Sequence, residues 1–64
     1  MDTNTYYYVI KNKRLQMGWS QDYTAQKAGI SKSTYIRVEN GDNVEIYNIL
    51  SILNILGLKM IIEG

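Results

Sequence analysis

Residues 20–41 run Ser20-Gln21-Asp22-Tyr23-Thr24-Ala25-Gln26-Lys27-Ala28-Gly29-Ile30-Ser31-Lys32-Ser33-Thr34-Tyr35-Ile36-Arg37-Val38-Glu39-Asn40-Gly41. Each half opens on a serine, whose hydroxyl caps free N–H groups, and closes on a glycine, which adopts the left-handed conformation that ends a helix. The spacing predicts one helix over 21–28 and a second over 32–40. Three residues, Gly29-Ile30-Ser31, join them, and the small Ala25 lets the backbones approach, as a sharp helix-turn-helix crossing requires.

The same punctuation extends outward. Gly18 and Gly57 close two further segments of helical apolar spacing, with no proline to interrupt them. The first runs from about Thr5 to Met17, capped by Asp2, Thr3 or Asn4, with Tyr7, Ile10, Arg14 and Met17 on one stripe. Tyr6, Tyr7 and Tyr8 are consecutive, so at least one ring faces away from the core. The fourth helix runs from about Glu45 to Leu56 with Asn43 as its cap, and Ile46, Ile49, Leu50, Leu53 and Leu56 form its stripe, widened by Ile52. Ile55 falls on its far side, an apolar excess that a small monomer core does not cover.

Beyond Gly57 the period changes to two, with Leu58, Met60 and Ile62 on one side. A lone strand over 58–63 has no partner for its backbone groups, so we expect it to pair antiparallel with the same strand of a second copy. Ile55, Leu58, Met60 and Ile62 are the expected dimer contacts. The fold class is thus all-α: four short helices in a single domain over 1–64, with a C-terminal strand completed across a homodimer.

Composition narrows the function. At 64 residues the core is thin, and with neither Cys nor His there is no disulfide, no thiolate or imidazole metal site and no cysteine or histidine catalysis. Six scattered carboxylates without a phosphate-cradling glycine loop offer no acid–base pair, so we expect neither an enzyme nor a cofactor, a metal or a small-molecule substrate. No apolar run approaches a membrane span, and the polar opening lacks the pattern of a secretory signal; a cytoplasmic protein is the expectation.

The net charge of +1 argues for no partner, but its distribution does. Residues 1–40 hold six basic side chains (Lys11, Lys13, Arg14, Lys27, Lys32, Arg37) against three acidic (Asp2, Asp22, Glu39), a net +3. Residues 41–64 hold Lys59 against Asp42, Glu45 and Glu63, a net −2.

On the second helix of the motif, Tyr35, Val38 and Ser31 are expected inward, Ser33, Arg37 and Asn40 outward, and Lys32 and Ile36 at the flank. A helix of this width fits the major groove of double-stranded DNA. The Arg37 fork matches guanine O6 and N7, Lys32 suits a guanine or a phosphate, and Ser33 and Thr34 accept either strand. Ser20 and Ser31 are caps that also suit phosphate. Gln21, at the N-terminus of the preceding helix, also points to phosphate and has no structural reason of its own.

Residues 10–41 resemble the Cro/repressor (XRE-type) helix-turn-helix family, most of all the lambdoid phage repressors. The resemblance is carried by Lys13-Arg14-Leu15-Gln16-Met17-Gly18-Trp19-Ser20-Gln21, Ala25-Gln26-Lys27-Ala28-Gly29-Ile30-Ser31 and Val38-Glu39-Asn40-Gly41. It implies a lambda-repressor-like fold in which Gln21 contacts the DNA backbone and end base pair, Lys32, Ser33 and Arg37 read bases, and Ser31 and Asn40 hold phosphate. It also implies a structural ion pair between Arg14 and Glu39. Thr24 stands where the family usually has a core leucine, and Ile36 where it is often polar. We expect Thr24 to bond to its own helix backbone, and Ile36 to meet a thymine methyl or a partner chain.

The tail departs from the phage repressors, which continue into a fifth helix; residues 56–63 are similar to the strand that ends HipB-like antitoxins. Three functions therefore compete: a homodimeric repressor on a near-palindromic operator, an antitoxin that also binds a toxin protein, and a protein-interaction module without DNA.

Overall fold

The computed structural model describes residues 6–58, in which four helices follow one another: α1 (Tyr6–Gln16), α2 (Gln21–Ala28), α3 (Lys32–Glu39) and α4 (Ile46–Ile55). All four end in the same way. A glycine with positive φ (Gly18, Gly29, Gly41, Gly57) donates to the carbonyl three residues back, and the next residue donates to the carbonyl five back. These pairs, such as Gly29 N to Gln26 O at 3.1 Å and Ile30 N to Ala25 O at 3.1 Å, satisfy carbonyls that a helix end leaves open, the arrangement of a Schellman motif. The residue after the glycine is usually apolar and folds back on the helix it terminates. Trp19, Ile30 and Leu58 follow that rule and pack against the core, whereas Asp42, after α3, stays exposed.

The beginnings are less uniform. Ser20 Oγ accepts from Tyr23 N at 3.0 Å, and Ser31 Oγ from Thr34 N at 3.2 Å. The helix ends differ from expectation by a residue: α1 stops at Gln16, α3 at Glu39, and α4 spans Ile46–Ile55. Asn43 is not the cap of α4. Glu45 holds that position without a side-chain bond, while the Asn43 carbonyl accepts from Arg37.

Ile10, Ala25, Tyr35, Val38, Ile49, Ile52, Leu53 and Leu56 form the core, joined by buried Arg14, Thr24 and Glu39. Thr24 Oγ1 donates to Ser20 O at 2.7 Å, so this buried hydroxyl is satisfied inside α2. Two apolar stripes sit differently from their spacing. Met17 lies past the end of α1 and is exposed. On α4 Ile49, Ile52 and Leu53 are buried, Ile52 completely although it only flanks the expected stripe, whereas Ile46 and Leu50 are 47% and 42% exposed and Tyr47 is 75% exposed. The apolar excess of α4 is therefore this Ile46–Tyr47–Leu50 face, and Ile55, expected outside, is half-buried against the core. The helix is apolar at most positions, and its docking on α2 and α3 rather than its periodicity selects the buried arc.

Among the described residues there is no strand. Leu58 is taken up by the end of α4, donating to Leu53 O at 2.8 Å and packing against the monomer core. Met60, Ile62 and the rest of the expected strand lie outside the described residues.

Candidate nucleic-acid interface

The turn Gly29-Ile30-Ser31 joins α2 to α3, which pack together, and Ala25 of α2 is buried with 2% exposure. Tyr35, Val38 and Glu39 face the core, leaving Lys32, Ser33, Arg37 and Asn40 exposed and Thr34 and Ile36 half-buried. Ser31, expected inward, is exposed instead, because as the cap it stands before the first helical turn. Its hydroxyl donates to Thr34 Oγ1 at 2.8 Å and lies 3.3 Å from Ser33 Oγ, so three hydroxyls cluster at the start of α3.

Beneath this face lies a polar cluster centred on Glu39. Arg14 Nε of α1 donates to Glu39 Oε2 at 2.6 Å, and Arg14 Nη2 to Oε1 at 3.3 Å. Arg14 Nη1 donates to Trp19 O at 2.8 Å, tying the α1–α2 turn to the pair. The Tyr35 hydroxyl donates to Glu39 Oε2 and Gln21 Nε2 donates to Oε1 at 3.1 Å. Gln21 therefore has a structural partner, contrary to its reading as a residue free for DNA alone. That partner is 18 positions away in sequence, beyond the reach of local spacing.

Burial, the largest influence on Glu39, pushes its carboxyl up, but the bonds from Arg14, Tyr35 and Gln21 outweigh it and leave the group below the usual carboxylate range. Burial raises the Tyr35 phenol strongly, reinforced by its bond to Glu39. The bond to Glu39 also raises the Arg14 guanidinium. The cluster is thus a fixed carboxylate held by an uncharged phenol, an amide and a permanent cation.

Arg37 is exposed, and one of its N–H groups donates to the Asn43 carbonyl at 3.0 Å. A guanidinium carries five N–H donors, so this bond orients the fork without exhausting it. An open cleft of about 470 Å³ adjoins it, lined by Thr34, Arg37, Asn43, Val44, Glu45 and Asn48. Sequence reasoning missed the Arg37–Asn43 bond, which depends on how the loop after α3 folds. It also missed the Tyr35–Glu39 bond, although a spacing of four on one helix face signals such a pair. Among the described residues no acidic cluster is arranged to hold a metal ion, and no helix is long and apolar enough to cross a membrane.

A family model described as helix-turn-helix matches residues 10–61, most of the chain. The chain belongs to the XRE-type helix-turn-helix family. No curated protein matches it. Membership of the XRE-type family makes this a DNA-binding domain of the transcription-regulator kind, with double-stranded DNA as its partner. The matched span contains the Glu39 cluster and the whole of α2 and α3, so the family's motif and the exposed basic face coincide.

Proposed function

We propose that the chain is a homodimeric, sequence-specific transcriptional repressor that places α3 of each copy in successive major grooves of a near-palindromic operator, about 34–36 Å apart. The single observation that carries this reading is the outer face of α3, where Lys32, Ser33, Arg37 and Asn40 are all exposed while the buried side is closed by Tyr35, Val38 and Glu39. Arg37 reads bases, with Ser33 and Thr34 beside it, and Lys32 in the first turn of α3 takes a phosphate. Ser20, Ser31, Asn40 and Gln21 bind phosphate, Gln21 from the anchorage Glu39 gives it. Arg14 and Glu39 are scaffold.

Dimerisation through the C-terminal segment, with Met60 and Ile62 at its centre, is supported by the apolar alternation of that segment. The exposed Ile46–Tyr47–Leu50 face supports a further protein contact. That face also favours a second reading, an antitoxin that occupies its own operator and neutralises a toxin; co-purification with a toxin encoded beside it separates the two.

The test is selection of bound fragments from a random duplex library. Symmetric enriched sites with two half-sites support the proposal. Binding that shows no enrichment at any salt concentration, or no binding in dilute buffer, overturns it.

A further inference from the structure

We propose that Tyr7 is a positioning residue for Arg37, acting from α1 through the loop that follows α3. The proposal rests on the reading of Arg37 as a base contact.

Tyr7 stands at the start of α1, 30 positions before Arg37 in sequence, and makes no bond to it. Its ring lies against Gly41 so closely that a Cβ on that glycine would sit 3.3 Å from Cδ1 and Cε1 and 3.5 Å from Cζ. The ring is itself confined, with Tyr6 edge-on at 5.9 Å between centroids and Tyr8 tilted over it at 4.6 Å. Gly41 has φ +79° and donates to Val38 O at 3.1 Å, and Asp42 N donates to the Arg37 carbonyl at 2.9 Å. Asn43 comes next, and its carbonyl accepts from the Arg37 guanidinium at 3.0 Å. Arg37 is thus bonded at both ends to the loop that Tyr7 props.

The other three helix ends pack an apolar residue after their glycine; here that residue is exposed Asp42, so the end of α3 lacks the apolar seal from its own turn. The Tyr7 ring supplies that seal from α1. An exposed arginine loses much of its binding advantage to side-chain freedom, and a fork already oriented by a fixed carbonyl keeps more of it. The aromatic run at the start of α1, which the core does not need in full, thereby acquires a role in sequence discrimination.

The experiment measures the affinity of the full chain for its selected duplex and for each single-base variant of it. Arg37→Ala is expected to flatten preference at one base-pair position by about 5- to 150-fold. Tyr7→Ala is expected to flatten preference at that same position by about threefold or more, and to add nothing in the Arg37→Ala background. Tyr7→Phe retains full discrimination, because the ring carbons rather than the hydroxyl touch Gly41. Should Tyr7→Ala lose its helical circular dichroism, Tyr7→Leu and Tyr7→Met, which remove the aromatic ring but keep apolar bulk, are read in the same way. Uniform weakening on every duplex with the preference intact, or a Tyr7 effect that persists without Arg37, overturns the positioning role. An Arg37→Ala variant with unchanged preferences removes the base-contact reading itself.

Discussion

Arg14 of α1 and Glu39 of α3 form the one ion pair among the described residues, Nε to Oε2 at 2.6 Å, with side chains only 9% and 3% exposed. A pair this shielded is a poor source of net stability compared with apolar packing, but removing one member leaves the other charged and without solvent. Its value is geometric. It fixes the rotation of α3 against α1 and, through Gln21 and Trp19 O, fixes the start of α2 as well.

Arg14→Ala is accordingly expected to destabilise the fold by about 3–5 kcal/mol. A chain of this length has roughly 3–10 kcal/mol in total, so the loss takes up a large share of the stability and lowers the urea midpoint sharply. Arg14→Lys retains the charge without the fork and loses less. The triple replacement Arg14→Met, Tyr35→Phe, Glu39→Leu removes all the buried charge together and recovers most of the loss. Urea titration followed by Trp19 fluorescence and circular dichroism measures each variant.

Stability is expected to fall on both sides of neutrality for reasons traceable to the same cluster. The folded Glu39 carboxyl lies below its ordinary value, so its contribution is fully present above roughly pH 4.3–4.5 and is lost as the pH falls through the lower folded value. The folded Tyr35 phenol lies above its ordinary value near 10, so its contribution is full below about pH 10 and disappears as the pH climbs toward the raised value. Urea midpoints measured across pH should show a shallower acid limb in Glu39→Gln and a shallower alkaline limb in Tyr35→Phe. A wild-type acid limb retained in Glu39→Gln would contradict the assignment.

What the chain revealed in advance follows a physical division. Glycine stops and serine caps are local, since the left-handed turn and the cap hydroxyl depend on residues within four positions; a glycine ends each of the four helices, and serines begin α2 and α3. Rotation of α4 was not legible: Ile46, Ile49, Leu50, Ile52, Leu53 and Ile55 make nearly every face apolar, and only docking on α2 decides that Ile52 goes in and Leu50 stays out. Partners of polar groups across the fold were equally hidden. Gln21 meets Glu39 and Arg37 meets the Asn43 carbonyl because the helices cross, and no spacing rule connects those positions. The exposed face of α3 was legible because Tyr35 and Val38 mark its opposite side.

Ile62→Lys places a charge in the apolar alternation of the C-terminal segment and is expected to yield a monomer in sedimentation, with operator affinity reduced at least tenfold because two half-sites no longer act together. Leu50→Lys, on the exposed face of α4, separates the two candidate protein contacts. A dimer that survives Ile62→Lys and dissociates with Leu50→Lys would assign the interface to α4 instead.

Arg37 and Lys32 are both exposed on α3 and differ in how they are held: Arg37 is tied to the Asn43 carbonyl, whereas Lys32 stands in the first turn beside the Ser31–Thr34 hydroxyls. A tethered planar fork suits bidentate recognition, and a compact ammonium suits a phosphate. Arg37→Ala is therefore expected to lose about 1–3 kcal/mol on the preferred duplex and much less on unrelated duplexes. Lys32→Ala should weaken both alike and reduce the magnitude of the log–log salt slope by about 0.9. Fluorescence anisotropy titrations at four salt concentrations, on specific and scrambled duplexes, measure both quantities. If the slope change appears with Arg37→Ala and the sequence preference with Lys32→Ala, the two roles are exchanged and the Asn43 tether does not serve base reading.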